Sequence, residues 1–224
     1  MTRIFLASAN AKKILEMQRI LAEHVPDIEV LGISDVEGYV EPVEDQPSFA
    51  GNALLKARAG VAATGLPSVA DDSGLCVDAL NGMPGVLSAR WSGQRLGDRP
   101  GADARNNELL LAQLDDVPDE RRGAHFVCAV AWVRPDGQER VVEGRMDGRI
   151  IREQRGSGGF GYDVVFVADE YAAQGRTSAE LEPDEKDRIS HRGRALRELA
   201  PYIAGDLRGA EGGIRTRTPW GTAS

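Results

Sequence analysis

Lysine is scarce in this chain. Only Lys12, Lys13, Lys56 and Lys186 are lysines among 27 basic residues, and arginine supplies the rest. Three of these four fall in segments that read as phosphate-facing on other grounds. Cysteine is scarcer still. Cys76 and Cys128 each sit in an apolar, strand-like run without neighbouring cysteine or histidine at ligand spacing. That argues against a zinc site or a disulfide framework and for two buried small hydrophobes. No apolar run reaches the roughly 18 residues of a membrane-spanning helix. The N-terminus runs directly into Thr2-Arg3-Ile4-Phe5-Leu6-Ala7, which is not a signal-peptide pattern, so a cytoplasmic protein is expected. Basic residues are outnumbered, and the net charge is −8. This argues against a nucleic-acid partner. A small anionic substrate stays open, because a local cationic pocket suffices to hold one. The P-loop pattern G-x-x-x-x-G-K-[ST] is absent. What remains is a chain with 42% apolar residues, long enough for a sizeable core.

Strand and helix patterns alternate, which predicts an α/β protein. Residues 3–7 read as a strand. Residues 10–23 read as an amphipathic helix carrying Ile14, Leu15, Met17, Ile20 and Leu21 at helical spacing. A second strand is expected over 28–33, then an acidic loop over 34–47. Ser48 is a candidate cap for a helix through about residue 64, with Ala53, Leu54, Ala57 and Val61 as its stripe and Gly65-Leu66-Pro67 as its stop. A strand with a tight turn is expected near 68–77, a long loop over 80–101, and a helix over 102–114. Residues 124–134 and 138–146 read as a hairpin around Pro135-Asp136-Gly137. A glycine-rich loop at 156–161 precedes a strand at 163–168. The last helix is expected from Pro183 to about residue 203. One domain over 1–204 is expected, and 205–224, without periodicity, reads as a disordered tail.

Four segments carry chemistry. Ser8-Ala9-Asn10-Ala11-Lys12-Lys13 joins the first strand to the first helix, where free N–H groups and the dipole favour an anion. Read alone, it is equally an ordinary helix cap. Asp71-Asp72-Ser73-Gly74 follows an apolar strand. It places an acid at a sheet edge, able to hold Mg²⁺ and to accept a proton from water, or it forms a solvated turn. Gly156–Gly161 contains G-x-G-x-x-G, but a strand follows instead of a helix, so the dinucleotide fingerprint is rejected. Phe160 then offers a face for stacking and Asp163 an acceptor. Lys186-Asp187-Arg188-Ile189-Ser190-His191-Arg192-Gly193 lies on the last helix, with Lys186 and Ser190 on one face. His24 and His125 read as structural.

In order, the motifs are Ser-x-Asn-x-x-Lys (8–13), Ser-Phe-x-x-Asn-Ala-x-x-Lys-Ala (48–57), Ala-Asp-Asp-Ser-Gly-Leu (70–75), Gly-x-Pro-Gly-Val-x-Ser-Ala-Arg (82–90), Gly-Gly-Phe-Gly-Tyr-Asp (158–163) and Glu-Lys-x-x-x-Ser-His-Arg-Gly (185–193). This series resembles the RdgB/Ham1-like inosine and xanthosine triphosphate pyrophosphatases from about residue 3 to 203. The resemblance implies a homodimer with an elongated mixed sheet, flanked by helices and forming two lobes around a cleft. It implies Mg²⁺-dependent cleavage of dITP, ITP or XTP to the monophosphate and pyrophosphate. By the same resemblance, Ser8, Ala9, Asn10, Ala11, Lys12 and Lys13 hold the triphosphate. Asp72 is the proton acceptor and a metal ligand, and Ser73 a substrate contact; Glu44, upstream of Gly51, is this chain's own candidate for a second metal carboxylate. Phe160, Gly161, Tyr162 and Asp163 line the base pocket, and Lys186, His191 and Arg192 close on the nucleotide.

Two positions depart from the family pattern. Gly51 replaces an acid before Asn52, and Val164 replaces a proline after Asp163. Two other readings stay in view: a Maf-like pyrophosphatase of other modified nucleotides, and a nucleotide-binding regulator without turnover.

Overall fold

The computed structural model describes residues 2–93 and 101–212. Its strands are β1 (Thr2–Leu6), β2 (Ile28–Leu31), β3 (Ser68–Val77), β4 (Gly123–Val133), β5 (Glu139–Ile150) and β6 (Phe166–Ala168). They form one mixed sheet in the order β2-β1-β3-β4-β5-β6. β1 pairs in parallel with β2 and β3, and the remaining neighbours are antiparallel. The helices are α1 (Ala11–Ala22), α2 (Phe49–Thr64), α3 (Ala102–Gln113), α4 (Pro183–Ile189) and α5 (His191–Gly212). Among the described residues no helix is long and apolar enough to cross a membrane.

Alternation along the strands sorts side chains to two faces. Ile4 and Leu6 of β1 meet Met17 and Leu21 of α1 and Leu199 and Ile203 of α5. Phe5, between them, joins Phe49, Ala53 and Ala57 of α2 on the other face. α2 lies close because its inner stripe is small: a Cβ added at Gly60 would stand 2.7 Å from the Phe5 ring. A third core gathers Leu75, Phe126, Met146 and Ile150 at the far end of the long strands with Leu110 and Leu114 of the α3 region. The middle of β3 lies between these cores.

Local chemistry explains most boundaries. The Ser48 hydroxyl accepts from the Gly51 amide at 3.1 Å, and Gly65, with φ +66°, ends α2 in the left-handed region. The β4–β5 hairpin turns at Gly137 with φ +85°.

The structure corrects five expectations. The strand expected over 163–168 is confined to Phe166–Ala168, because Gly161–Val164 forms a 3-10 turn. Leu15 is 69% exposed, so it is off the buried stripe of α1. β3 runs unbroken from Ser68 to Val77, because all ten residues pair with β4 and that ladder overrides the local turn preference of Asp-Asp-Ser-Gly. The last helix is two helices, since Ser190 leaves the helical region and its hydroxyl caps α5 through the Gly193 amide at 3.0 Å. α5 continues to Gly212, with Leu207 in the same core as Leu199 and Ile203, so 205–212 are helical. The rest of the expected tail lies outside the described residues.

Candidate active site

Adjacent residues of a strand point to opposite faces, and this divides Asp71 from Asp72. Asp71 faces α1 and α5. Its Oδ2 lies 2.7 Å from Lys13 Nζ and 3.4 Å from Arg192 Nε. Arg192 also reaches Glu16 at 3.4 Å. Burial alone would raise the Asp71 pKa, but Lys13 and Arg192 overcome it and hold the carboxyl well below its usual range. α1 places Lys13 by its own cap. Asn10 Oδ1 accepts from the Lys13 amide at 3.4 Å, and the Asn10 amide donates to Ser8 Oγ at 3.1 Å. Ala9, Asn10 and Ala11 are exposed at this helix start. The Lys12 side chain lies outside the described residues.

Asp72 faces α2. Asn52 Nδ2 donates to its Oδ2 at 2.9 Å, and the Ser73 amide to its Oδ1 at 3.0 Å. Lys56 Nζ stands 3.9 Å from that Oδ1 and 2.6 Å from Glu44 Oε1. Arg90 holds the Glu44 carbonyl at 3.1 Å and stands 3.9 Å from its carboxylate. Burial, with Glu44 adding to it, raises the Asp72 pKa against the opposing pull of Lys56, Asn52 and the Ser73 amide. A raised pKa suits a carboxylate that accepts a proton. Asn52 and Lys56 were not among the predicted site residues. Their i, i+4 spacing behind a Ser48 cap places both on one face of α2, and that signal was present.

Gly74 is not a turn residue. A Cβ there would strike Ser88 Oγ, and would stand 2.6 Å from the Gly85 carbonyl and 2.9 Å from the Phe49 ring. Its bare backbone lets the 3-10 turn Gly85–Arg90 press on β3, and the end of that turn supplies Arg90 to Glu44.

Among the described residues no cluster of three or more metal-ligating side chains occurs. Asp72 and Glu44 nonetheless share one ammonium, and Asp72 is a carboxylate whose burial is incompletely compensated. This donor set fits a cation such as Mg²⁺, which takes one or two carboxylates and completes its shell with water and substrate phosphates. A Cβ at Gly51 would stand 2.8 Å from Gln46 Cβ, so that position addresses Gln46.

The residues of the glycine-rich loop divide by burial. Phe160 is 70% exposed. Asp163 is buried, accepting from the Phe160 amide at 2.8 Å and from Lys186 Nζ at 2.5 Å. Lys186 Nζ also stands 5.3 Å from the Phe160 ring centroid. Tyr162 is buried, with its hydroxyl on the Ser88 carbonyl at 2.8 Å, so its side chain anchors the loop. His191 stacks on Phe126 with centroids 5.1 Å apart. Its Nδ1 is buried and has no hydrogen-bond partner among the described residues. Burial, then Arg192 and Lys186, lowers the His191 pKa to about 3, so the ring is neutral at physiological pH. Gly144 admits this helix start, since a Cβ there would strike the His191 carbonyl and stand 2.7 Å from the Ala195 amide.

The expected cationic pocket is therefore charge-balanced. Lys13, Lys56, Lys186 and Arg192 each rest on a carboxylate. The arrangement can orient a polyanion at two faces of β3, hold a proton acceptor between an amide and an ammonium, and offer an exposed aromatic face.

Comparison with known proteins bears on this arrangement. The family model described as the Ham1 family matches residues 4–202. A dITP/XTP pyrophosphatase of Corynebacterium glutamicum strain R is 56% identical over 204 residues, which are 90% of this chain and 97% of that protein. The dITP/XTP pyrophosphatase of Nocardia farcinica is 58% identical, covering 91% and 96%. Among solved structures, a nucleoside-triphosphatase / dITP/XTP pyrophosphatase of Mycobacterium abscessus aligns with a TM-score of 0.73 at 56% identity, over 89% of this chain and 100% of that one. A HAM1 protein of Coxiella burnetii aligns with a TM-score of 0.81 at 37% identity, over 92% and 100%.

Proposed function

Because this chain belongs to the Ham1 family, we propose that it hydrolyses non-canonical purine nucleoside triphosphates, dITP or ITP and XTP or dXTP, to the monophosphate and pyrophosphate. The activity removes deaminated purines from the nucleotide pool. The observation that carries this reading is the setting of Asp72. It is a half-buried carboxylate of raised pKa, held by Asn52 and facing Lys56 and Glu44.

In this reading Asp72 takes the proton of a water that attacks the α-phosphorus. Each of its oxygens accepts one hydrogen bond, from Asn52 or from the Ser73 amide, and keeps a further lone pair free. Glu44 and Asp72 would hold Mg²⁺, which supplies charge neutralisation on the phosphates. Lys13 and the N-terminus of α1 receive the departing pyrophosphate. Phe160 stacks on the purine. His191 and Arg192 donate to its 6-oxo group, so a 6-amino group leaves buried donors unpaired at about 1–3 kcal/mol each. The reading takes the protein as a cytoplasmic homodimer acting on free nucleotides, and the net charge of −8 supports the absence of a nucleic-acid partner.

The test is pyrophosphate release from dITP, ITP, XTP, GTP, ATP and dTTP, with and without Mg²⁺. Release from the first three, dependent on the metal, is expected. Release mainly from dTTP points to a Maf-like enzyme, and none from any points to a binding module.

A further inference from the structure

The glycine-rich segment that presents Phe160 is held from a distant part of the chain. Asp103 and Asn107 stand one turn apart on α3. Asp103 Oδ2 accepts from the Gly161 amide at 2.7 Å. Asn107 Nδ2 donates to the Gly161 carbonyl at 2.9 Å and to the Asp103 carbonyl at 2.7 Å. Both peptide groups of one residue are thus gripped by one helix face. Gly161 has φ +61°, a conformation that a free glycine shares with many others. The amide of Phe160 itself is fixed by Asp163 at 2.8 Å. The two amides that bracket the Phe160 side chain are therefore both tied to carboxylates, while the ring is 70% exposed. Beyond the Lys186 ammonium 5.3 Å from its centroid, the ring is left open to solvent on a pinned backbone. It gains when a planar group covers it, and pinning removes the ordering cost of that event.

We propose that Asp103 and Asn107 are positioning residues that preset Phe160 to stack on the purine and so contribute to base affinity from outside the pocket. The inference rests on the reading of Phe160 as a base contact. Asp103 is exposed, so its replacement leaves the core intact.

The experiment measures KM and kcat for dITP, and inhibition by inorganic triphosphate, a competitor without a base. The proteins are wild type, Asp103→Ala, Asp103→Asn, Phe160→Ala and Asp103→Ala combined with Phe160→Ala. Loss of a hydrogen bond to a charged acceptor predicts that Asp103→Ala raises KM about tenfold, with kcat within about twofold. The inhibition constant of triphosphate stays at the wild-type value. Asp103→Asn, which keeps an oxygen facing the Gly161 amide, recovers most of the affinity. In the Phe160→Ala background the second substitution adds less than about twofold, since both act on one contact. A wild-type KM for Asp103→Ala beside a raised KM for Phe160→Ala overturns the positioning role alone. So does a parallel rise for triphosphate, or effects that multiply in the double variant. A wild-type KM for Phe160→Ala overturns the base-contact reading itself, and the positioning role with it.

Discussion

Asp71 and Asp72 are neighbours on β3, yet their carboxylates serve opposite faces of the sheet. Asp71 closes on Lys13 at 2.7 Å from α1, and Asp72 accepts from Asn52 at 2.9 Å from α2. Two adjacent acids are therefore two different devices. Asp71→Asn leaves Lys13 and Arg192 facing each other across a buried amide. Removing one partner of such a pair predicts a loss of about 3 kcal/mol in urea unfolding. Asp72→Asn, whose partners are a neutral amide and a lysine already on Glu44, changes stability by under about 1 kcal/mol. Equal losses for the two variants contradict this division.

His191 sets an acid-side limit on stability. Its pKa is 6.5 in the unfolded chain and about 3 in the folded one. Between these values the unfolded state binds a proton that the folded state refuses, so stability falls as pH falls through that window. The slope approaches about 1.4 kcal/mol per pH unit. Asp71, held lower still, keeps its contribution above its ordinary range and loses it only in stronger acid. His191→Phe, which preserves a ring against Phe126, removes this slope between pH 4 and 6. Urea unfolding at several pH values measures it, and unchanged slopes contradict the assignment.

Gly74→Ala tests the close approach of the 3-10 turn to β3. The new Cβ meets the Gly85 carbonyl at 2.6 Å and the Ser88 hydroxyl. The Gly85 carbonyl is backbone and yields little, so a loss of about 3 kcal/mol is expected. A thermal midpoint within a degree or two of wild type contradicts it.

Metal dependence separates Glu44 from position 51. Glu44→Gln removes one of two carboxylates around Lys56 and predicts a rise of roughly tenfold or more in the Mg²⁺ concentration for half-maximal rate. Gly51→Glu directs its new side chain toward Gln46, and a change of under about threefold is expected. A large gain in Mg²⁺ affinity for Gly51→Glu shows instead that the position belongs to the metal site.

Much of this molecule is legible in the sequence where local chemistry decides. The Ser48 cap, the Gly65 stop and the Pro135-Asp136-Gly137 hairpin stand as read, because each is fixed by residues within a few positions. The reading fails where distant pairing decides. Asp-Asp-Ser-Gly reads as a turn, but ten ladder pairs with β4 keep it extended. Once it is a strand, alternation alone separates Asp71 from Asp72. Ser190 reads as helix interior, yet its hydroxyl caps a new helix there, and the narrow seat at Gly144 receives that helix start. Asp103 and Asn107 carry no local signal, since the residue they grip lies more than fifty positions away.

The central claim is that Asp72 accepts the proton of the attacking water. Single-turnover release of pyrophosphate from dITP, with Mg²⁺ saturating, compares wild type with Asp72→Asn of equal thermal midpoint. Loss of a positioned general base predicts a rate lower by about 10²–10⁴. A rate for Asp72→Asn within about tenfold of wild type contradicts the claim and moves the proton acceptor elsewhere.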